Sequence, residues 1–323
     1  MPTIAGIVFD NPFLLGPMAG VTDSAFRSIC RRQGAAGTYT EMVSAKALTF
    51  RDKKTQVLLH IEPEEHPCGA QIFGSEPEVC AQAAQMALEI SGADFLDINM
   101  GCPVPKITGN GEGSALMLDP KQAAKVITAV RRSIQKPLTV KFRKGFDEER
   151  CNCVEFARMA EGCGVDAVCV HGRTRQQMYA GRSDLEAVLR VKEAVRIPVI
   201  ASGDMFTPED GLNALRRGVD FVMVARGAQG DPSIFRRMVA AWKGQPIPPE
   251  PDLEQKVALM EEHITLMCQR KGEGKAMPEV RKHILWYLKG VRGAKPYKQK
   301  FSGVNTLEEF RQLCARMLVE LQG

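Results

Sequence analysis

The chain has 323 residues, 44% hydrophobic and 25% charged, an ordinary globular composition in a chain longer than one average domain. No apolar run approaches the roughly 20 residues that span a bilayer, and Met1-Pro2-Thr3-Ile4 lacks a basic segment leading into an apolar core, which argues against a membrane protein or a signal peptide. Lys plus Arg number 43 against 38 Asp plus Glu, a net charge of +5 too mild to prove a nucleic-acid partner by its sum alone. Ten cysteines are scattered, several within apolar strand or helix patterns, which is reduced-thiol usage and points to the cytoplasm. Cys151, Cys153 and Cys163 lack the paired spacing of a structural zinc site, so no metal is expected.

From the start to about residue 230, short apolar runs alternate with helical patterns. The spacing predicts eight strands, at 13–16, 37–40, 68–72, 95–98, 138–142, 167–171, 198–201 and 221–224. Helical segments at 77–90, 120–134 and 208–217 each open on a proline, which suits the first turn of a helix. The interval 45–65 shows no single clean helix. Strands alternating with helices imply a parallel sheet, and eight repeats favour an α/β fold closed as a TIM (β/α)8 barrel over residues 1–243.

Within this pattern Asn99-Met100-Gly101-Cys102-Pro103 follows the fourth strand directly, and the Gly-rich stretch 109–114 comes soon after. A thiol therefore sits at the C-terminal tip of a barrel strand, where such folds place their catalytic groups. Cys is suited to proton transfer or nucleophilic attack near neutral pH, although a small turn residue without chemistry fits the loop alone equally well.

The composition changes at 244–252, where prolines cluster into a stiff linker. Helical apolar spacing returns at 253–270, 278–291 and 306–321, and Thr306 with Glu309 resembles a capping box. Residues 253–323 thus read as a small, separate all-helical bundle, present to hold a partner or substrate. Between Lys275 and Lys300 eight cations, among them Lys289, Arg292 and Lys295, face one acid, Glu279. Trp286, Tyr287 and Tyr297 are interleaved with them, a pattern that fits phosphate binding with base stacking better than a plain solvated face.

Taken in order, these pieces resemble the flavin-dependent tRNA-dihydrouridine synthases, in particular their bacterial B-type branch. The resemblance runs over nearly the whole chain. It is carried by Pro17 to Asp23 after the first strand, Gln71 in the third, Asn99 to Lys106 with Gly109 to Ser114, and Lys141 on the fifth. His171 to Arg175, Ser202-Gly203-Asp204 and Ala225-Arg226-Gly227 complete it after strands six, seven and eight. Ser202 and Ala225 depart from the Asn and Gly usual in the family, at positions where backbone contact suffices.

The resemblance implies a flavin mononucleotide (FMN), reduced by NADPH or NADH, and tRNA as substrate. Nothing in the sequence implies a stable protein partner. Ser202, Gly203, Asp204, Ala225 and Arg226 would cradle the phosphate, through backbone N–H groups and the Arg226 fork. Lys141, a cation in an apolar strand, would face the negative charge of reduced flavin, the alternative being a salt bridge to Asp97 or Glu41. Gln71 would meet the ring edge, His171 a flavin or phosphate edge, and Pro17, Met18 and Ala19 the floor. Cys102 corresponds to the family's general acid, Asn99 would bind the uracil edge, and Arg173 and Arg175 would lie near RNA. Ribosomal RNA, or a free pyrimidine as in related FMN barrels, stands as the alternative substrate.

Overall fold

A computed structural model describes residues 1–322. Eight parallel strands form the barrel: β1 Phe13–Leu15, β2 Thr38–Tyr39, β3 Cys68–Phe73, β4 Phe95–Met100, β5 Leu138–Gly145, β6 Ala167–Thr174, β7 Val199–Ser202 and β8 Phe221–Val224. Their order is β1-β8-β7-β6-β5-β4-β3-β2. The ring closes between β1 and β2 through a bridge of Leu14 with Gly37 and the bonds Leu15 N–H to Gly37 O (2.9 Å) and Ala36 N–H to Phe13 O (2.8 Å). All eight expected strands are present; β3 to β6 run one to three residues further at their C-terminal ends, whereas β1 and β2 are shorter than expected.

The side-chain period of two sorts each strand. On β5, Leu138, Val140 and Phe142 pack outward in the core shared with the helices, as do Leu96, Ile98 and Met100 on β4 and Val168 and Val170 on β6. The alternate positions fill the barrel interior. Its lower end is apolar, with Leu14, Tyr39, Phe95, Cys169, Ile200, Phe221 and Met223 in one cluster with Ile4 and Phe9. Ile4 and Phe9 come from an N-terminal hairpin, Thr3–Ile4 paired with Ile7–Val8, which plugs that end. Further along the same inward rows stand Gln71, Asp97, Asn99, Lys141, Arg143, His171 and Arg173. Burying that much polarity is costly unless the groups are partnered or serve a ligand.

The interval 45–65 holds two short helices, Ala45–Thr49 and Lys53–Leu58, and a 3-10 turn at Pro63–Glu65. Beyond the linker come four helices: Leu253–Lys271, Glu273–Tyr287, Lys295–Phe301 and Leu307–Gln322. The helix expected from Pro278 begins at Glu273 instead and carries Pro278 inside it, because Gly272 at φ +80° provides the break one turn earlier. The Lys295–Phe301 helix was not expected, since seven residues are too few for an apolar period to show.

The helical region has its own apolar core, centred on Met260, Ile264, Met277, Ile284, Phe301 and Phe310, yet it is not a free appendage. Ala25 of the barrel belongs to that same core, and Trp286 packs against the barrel's. Lys271 pairs with Asp23 at 2.6 Å, and Arg270 donates to Ser24 Oγ (2.7 Å), Ser28 Oγ (2.9 Å) and Glu64 (2.9 Å). His263 and His283 are buried against Phe26, with ring centroids 5.1 and 6.2 Å away.

Candidate active site

A cavity of about 520 Å³ opens at the C-terminal ends of the strands, inside the range of roughly 300–1,000 Å³ typical of cofactor sites. Cys102 borders it from the loop after β4, and Ala225 and Arg226 from the loop after β8, half-way round the ring. Pro17, Met18 and Ala19 contribute its wall after β1, and Gln229 Nε2 contacts Met18 Sδ at 3.6 Å.

The Cys102 loop is fixed from several sides. Asn99 Oδ1 accepts the N–H groups of Gly101 (3.1 Å) and Cys102 (2.9 Å). The Cys102 carbonyl accepts both the N–H (3.1 Å) and the Oγ (2.9 Å) of Ser114. Gly113, at φ +59°, allows that approach, since a Cβ there would stand 2.9 Å from the Cys102 oxygen. Arg143 Nε donates to Gly101 O (2.8 Å), and its Nη1 to the carbonyls of Thr174 (2.9 Å) and Met178 (3.0 Å). Burial raises the thiol's pKa against the partial opposition of the Val104 N–H, Arg143 and Lys141, so Cys102 is a protonated thiol at neutral pH.

Lys141 lines the cavity and, among the described residues, joins neither of its candidate carboxylates. Asp97 is instead engaged by Thr139 Oγ1 (2.5 Å) and Gln71 Nε2 (2.6 Å), and Glu41 by the Gly20 N–H. His171 also lines it. Burial and the neighbouring Lys141, Arg143, Arg173 and Arg226 push its pKa well down, so its ring is neutral, and its buried Nε2 has no partner.

On the far side, Ser202, Gly203, Asp204, Ala225 and Arg226 lie together as expected. Among the described residues the backbone N–H groups of Gly203, Asp204, Arg226 and Gly227 find no acceptor in the chain. Gly203 is at φ +115°, and a Cβ there would fall 2.2 Å from Ser183 Oγ and 2.8 Å from His171 Cδ2. Arg226 pairs with Asp204 at 3.0 Å and stacks over Tyr179 (4.7 Å) and Phe206 (5.5 Å). The only acid among the residues lining the cavity is Asp204, against Lys141, Arg143 and Arg226. Free amides, an orphaned imidazole nitrogen and a surplus of cations are the donor set that an anionic, ring-bearing cofactor such as a flavin needs.

Three expectations meet a different placement. Gln71 is fully buried behind the wall, its amide divided between Asp97 and Asn99. Arg173, 2% exposed, is spent on Asp204 (2.7 Å) and the carbonyls of Ala180 and Gly181, so it braces the cradle and is not open to RNA. Arg175 is half-buried over the Phe146 ring at 5.3 Å, away from the cavity wall.

Among the aromatics offered for stacking, Tyr287 and Tyr297 lie in the helical core and Trp286 packs on the barrel, because their apolar bodies are worth more buried. Lys289, Arg292 and Lys295 are exposed around a turn punctuated by Gly290 and Gly293 at positive φ. Arg143 was not among the expected site residues, although its position two residues after Lys141, on the same inward row, is a signal for it. Tyr179 and Phe206, also unexpected, lie on loops without periodicity. All ten cysteines are unpaired, and among the described residues no His, Cys, Asp and Glu side chains converge to hold a metal. No helix among them is long and apolar enough to cross a membrane.

A closed barrel with a cation-rich, donor-rich cavity at its strand ends is the architecture of an α/β-barrel enzyme. The dihydrouridine synthase family model matches residues 14–322. The chain is 38% identical to tRNA-dihydrouridine synthase B of Pseudomonas aeruginosa over 307 residues, 94% of this chain and 91% of the relative. It is 40% identical to the Shewanella oneidensis protein of the same name, over 93% of this chain and 92% of that one. A probable tRNA-dihydrouridine synthase of Mycobacterium tuberculosis is 36% identical, covering 97% and 84%. Among solved structures an old yellow enzyme homologue from Zymomonas mobilis shares the barrel, with a TM-score of 0.57 at 13% identity over 79% of this chain and 95% of that one. The chain belongs to the dihydrouridine synthase family, flavin-dependent oxidoreductases that reduce uridines of tRNA.

Proposed function

We propose that this chain reduces uridine in tRNA to 5,6-dihydrouridine in the cytoplasm, with FMN as its flavin and Cys102 as the proton donor. The observation that carries the reading is a thiol kept protonated by burial at the cavity wall, half a turn of the barrel away from an anion cradle. When bound and reduced by NADPH (or NADH), the flavin supplies the hydride that goes to C6 of the uracil ring.

The chain's own residues do the rest. The amides after β7 and β8 with Arg226 hold a single phosphate, which favours the mononucleotide. Lys141 and neutral His171 set the field over the ring, where a fixed cation stabilises negative charge on reduced flavin. Cys102 delivers its proton to C5, so hydride and proton together saturate the 5,6 bond and leave a thiolate that regains its proton from solvent.

Asn99 has both lone pairs of Oδ1 occupied and one Nδ2 hydrogen on Gln71 (3.0 Å). Its other hydrogen meets only the weak acceptor Met42 Sδ at 3.4 Å, and that bond is free to pass to a pyrimidine carbonyl. The base must leave its stack to reach this cavity, at a cost offset by backbone contacts to exposed Lys289, Arg292 and Lys295. The residues 1–243, 244–252 and 253–323 divide the labour as catalytic barrel, linker and RNA-holding bundle.

The test separates the half-reactions. Cys102→Ala is expected to keep its flavin and its reduction by NADPH while losing about 10²-fold or more in dihydrouridine formation. Product at close to the wild-type rate would place the proton donor elsewhere.

A further inference from the structure

A buried polar chain runs from the barrel interior to the Cys102 loop. Asp97, fully buried on β4, accepts from Thr139 Oγ1 at 2.5 Å and from Gln71 Nε2 at 2.6 Å. Gln71 Oε1 then accepts from Asn99 Nδ2 at 3.0 Å. Asn99 Oδ1 in turn accepts the N–H groups of Gly101 and Cys102 at 3.1 and 2.9 Å. Register places these groups side by side, since Gln71 pairs with Asp97 across β3 and β4, and Asp97 with Thr139 across β4 and β5.

Each amide in this chain has two faces, and either orientation is isosteric. Two backbone donors at one end demand the oxygen of Asn99. At the other end an ionised carboxylate demands the nitrogen of Gln71. The two requirements agree through the middle, so the whole chain has one satisfied arrangement.

We propose that Asp97 is a positioning residue for the reaction, setting the orientation of the Gln71 and Asn99 amides and through them the place of Cys102. The proposal rests on the reading of Cys102 as proton donor but adds a group buried on β4, five residues before the thiol and linked to it through Gln71 of β3. It also explains why a carboxylate persists in an interior where burial pulls its pKa up to about 6. Of its neighbours, Lys141 favours the charge, while Tyr39 and Cys169 are themselves held neutral by burial.

The decisive experiment is a polarity swap. In Asp97→Asn one acceptor becomes a donor: turned to Gln71 it makes Gln71 reverse and Asn99 present a donor to two donors, and turned to Thr139 it drives the hydroxyl proton from its 2.5 Å bond to the Leu96 carbonyl at 3.5 Å. Dihydrouridine formation is expected to fall about 10-fold or more, the scale of one buried polar group left unpaired. Alkylation of Cys102 by iodoacetamide, read by peptide mass, is expected to quicken several-fold as the loop loosens. Gln71→Glu alone sets two carboxylates against each other and is expected to be as damaging. Asp97→Asn with Gln71→Glu restores every donor to an acceptor and is expected to recover both readouts to within a few-fold of wild type.

A merely space-filling role for Asp97 would leave the double variant no better than the worse single one, which would overturn the proposal. So would an Asp97→Asn protein with wild-type activity and wild-type alkylation. Should Asp97→Asn fail to fold, the double variant decides: folded and active supports the proposal, unfolded or inactive overturns it. None of these outcomes depends on Cys102→Ala, which tests the parent reading separately.

Discussion

Lowering the pH should loosen the helical region from the barrel before it affects most of the carboxylates. His263 and His283 lie face to edge at 4.7 Å, enclosed by Phe26, Tyr287 and Trp286. His263 Nε2 has no partner at all. Burial lowers His263 to about 4, with Asp23 opposing and Lys271 reinforcing that shift. It lowers His283 to about 2, helped by His263, Lys282 and Lys271 and opposed by Asp23. The ordinary value is 6.5, so both rings are neutral in folded and unfolded chains above that pH and contribute nothing there. Below it the unfolded chain takes up the protons first, and stability falls as pH falls. By pH 5 the linkage amounts to about 2 kcal/mol for each ring, a large share of a typical stability of roughly 5–15 kcal/mol. Urea unfolding followed by tryptophan fluorescence at pH 8 and pH 5 measures it, since Trp286 sits 5.2 Å from His283. The variant His263→Phe with His283→Phe keeps aromatic packing but cannot titrate, and should lose most of the difference between the two pH values. An equal pH dependence in wild type and variant would refute the reasoning.

Gly203→Ala should abolish tight flavin binding, because a Cβ at φ +115° would meet Ser183 Oγ at 2.2 Å. The protein should purify colourless, and retained flavin absorbance would argue against the cradle. Replacing Lys289, Arg292 and Lys295 together with Ala should weaken tRNA binding and flatten the plot of log affinity against log salt by about 2–3, at roughly 0.7–0.9 per phosphate contact. An unchanged slope would mean that these exposed cations face only water.

The barrel was legible because its signals are periodic and local. Runs such as Leu138 to Phe142 announce strands by composition, and the prolines at 77, 120 and 208 mark helix starts that the structure keeps. The strand-end residues were legible for the same reason, since strand tips in a closed barrel converge whatever the loops do. What the sequence hid was direction and competition. Arg173 and Arg175 read alike as neighbouring cations. Alternation turns Arg173 inward to Asp204, however, and leaves Arg175 beyond the ladder over Phe146. Tyr287 and Tyr297 read as stacking platforms because they are interleaved with lysines. Helical period places them on the buried face, and the lysines beside them on the open one. Asp97 read only as an alternative counter-charge for Lys141, and the geometry reveals that two neutral hydrogen-bond donors have claimed it.

The docking of the helical region changes how RNA binding and chemistry relate. Two loops that border the cavity also touch the Glu273–Tyr287 helix. On the β1 side, Lys282 Nζ lies 3.2 Å from where a Cβ on Gly20 would stand, just past Ala19. On the β8 side, Gly230 at φ +75° lies so close to the helix backbone that a Cβ would meet the Trp286 carbonyl carbon at 2.3 Å, only three residues after Gly227. The helix that leads into the exposed cations at 289–295 is therefore packed beside two of the loops that line the cavity. RNA held on those cations, as proposed above, would be registered against the cavity by this buried interface. A long linker would leave the target base to search for the pocket, whereas this packing would fix the distance between the proposed phosphate contacts and Cys102. A base drawn from its stack would then arrive where Asn99, Lys141 and the thiol already stand in place.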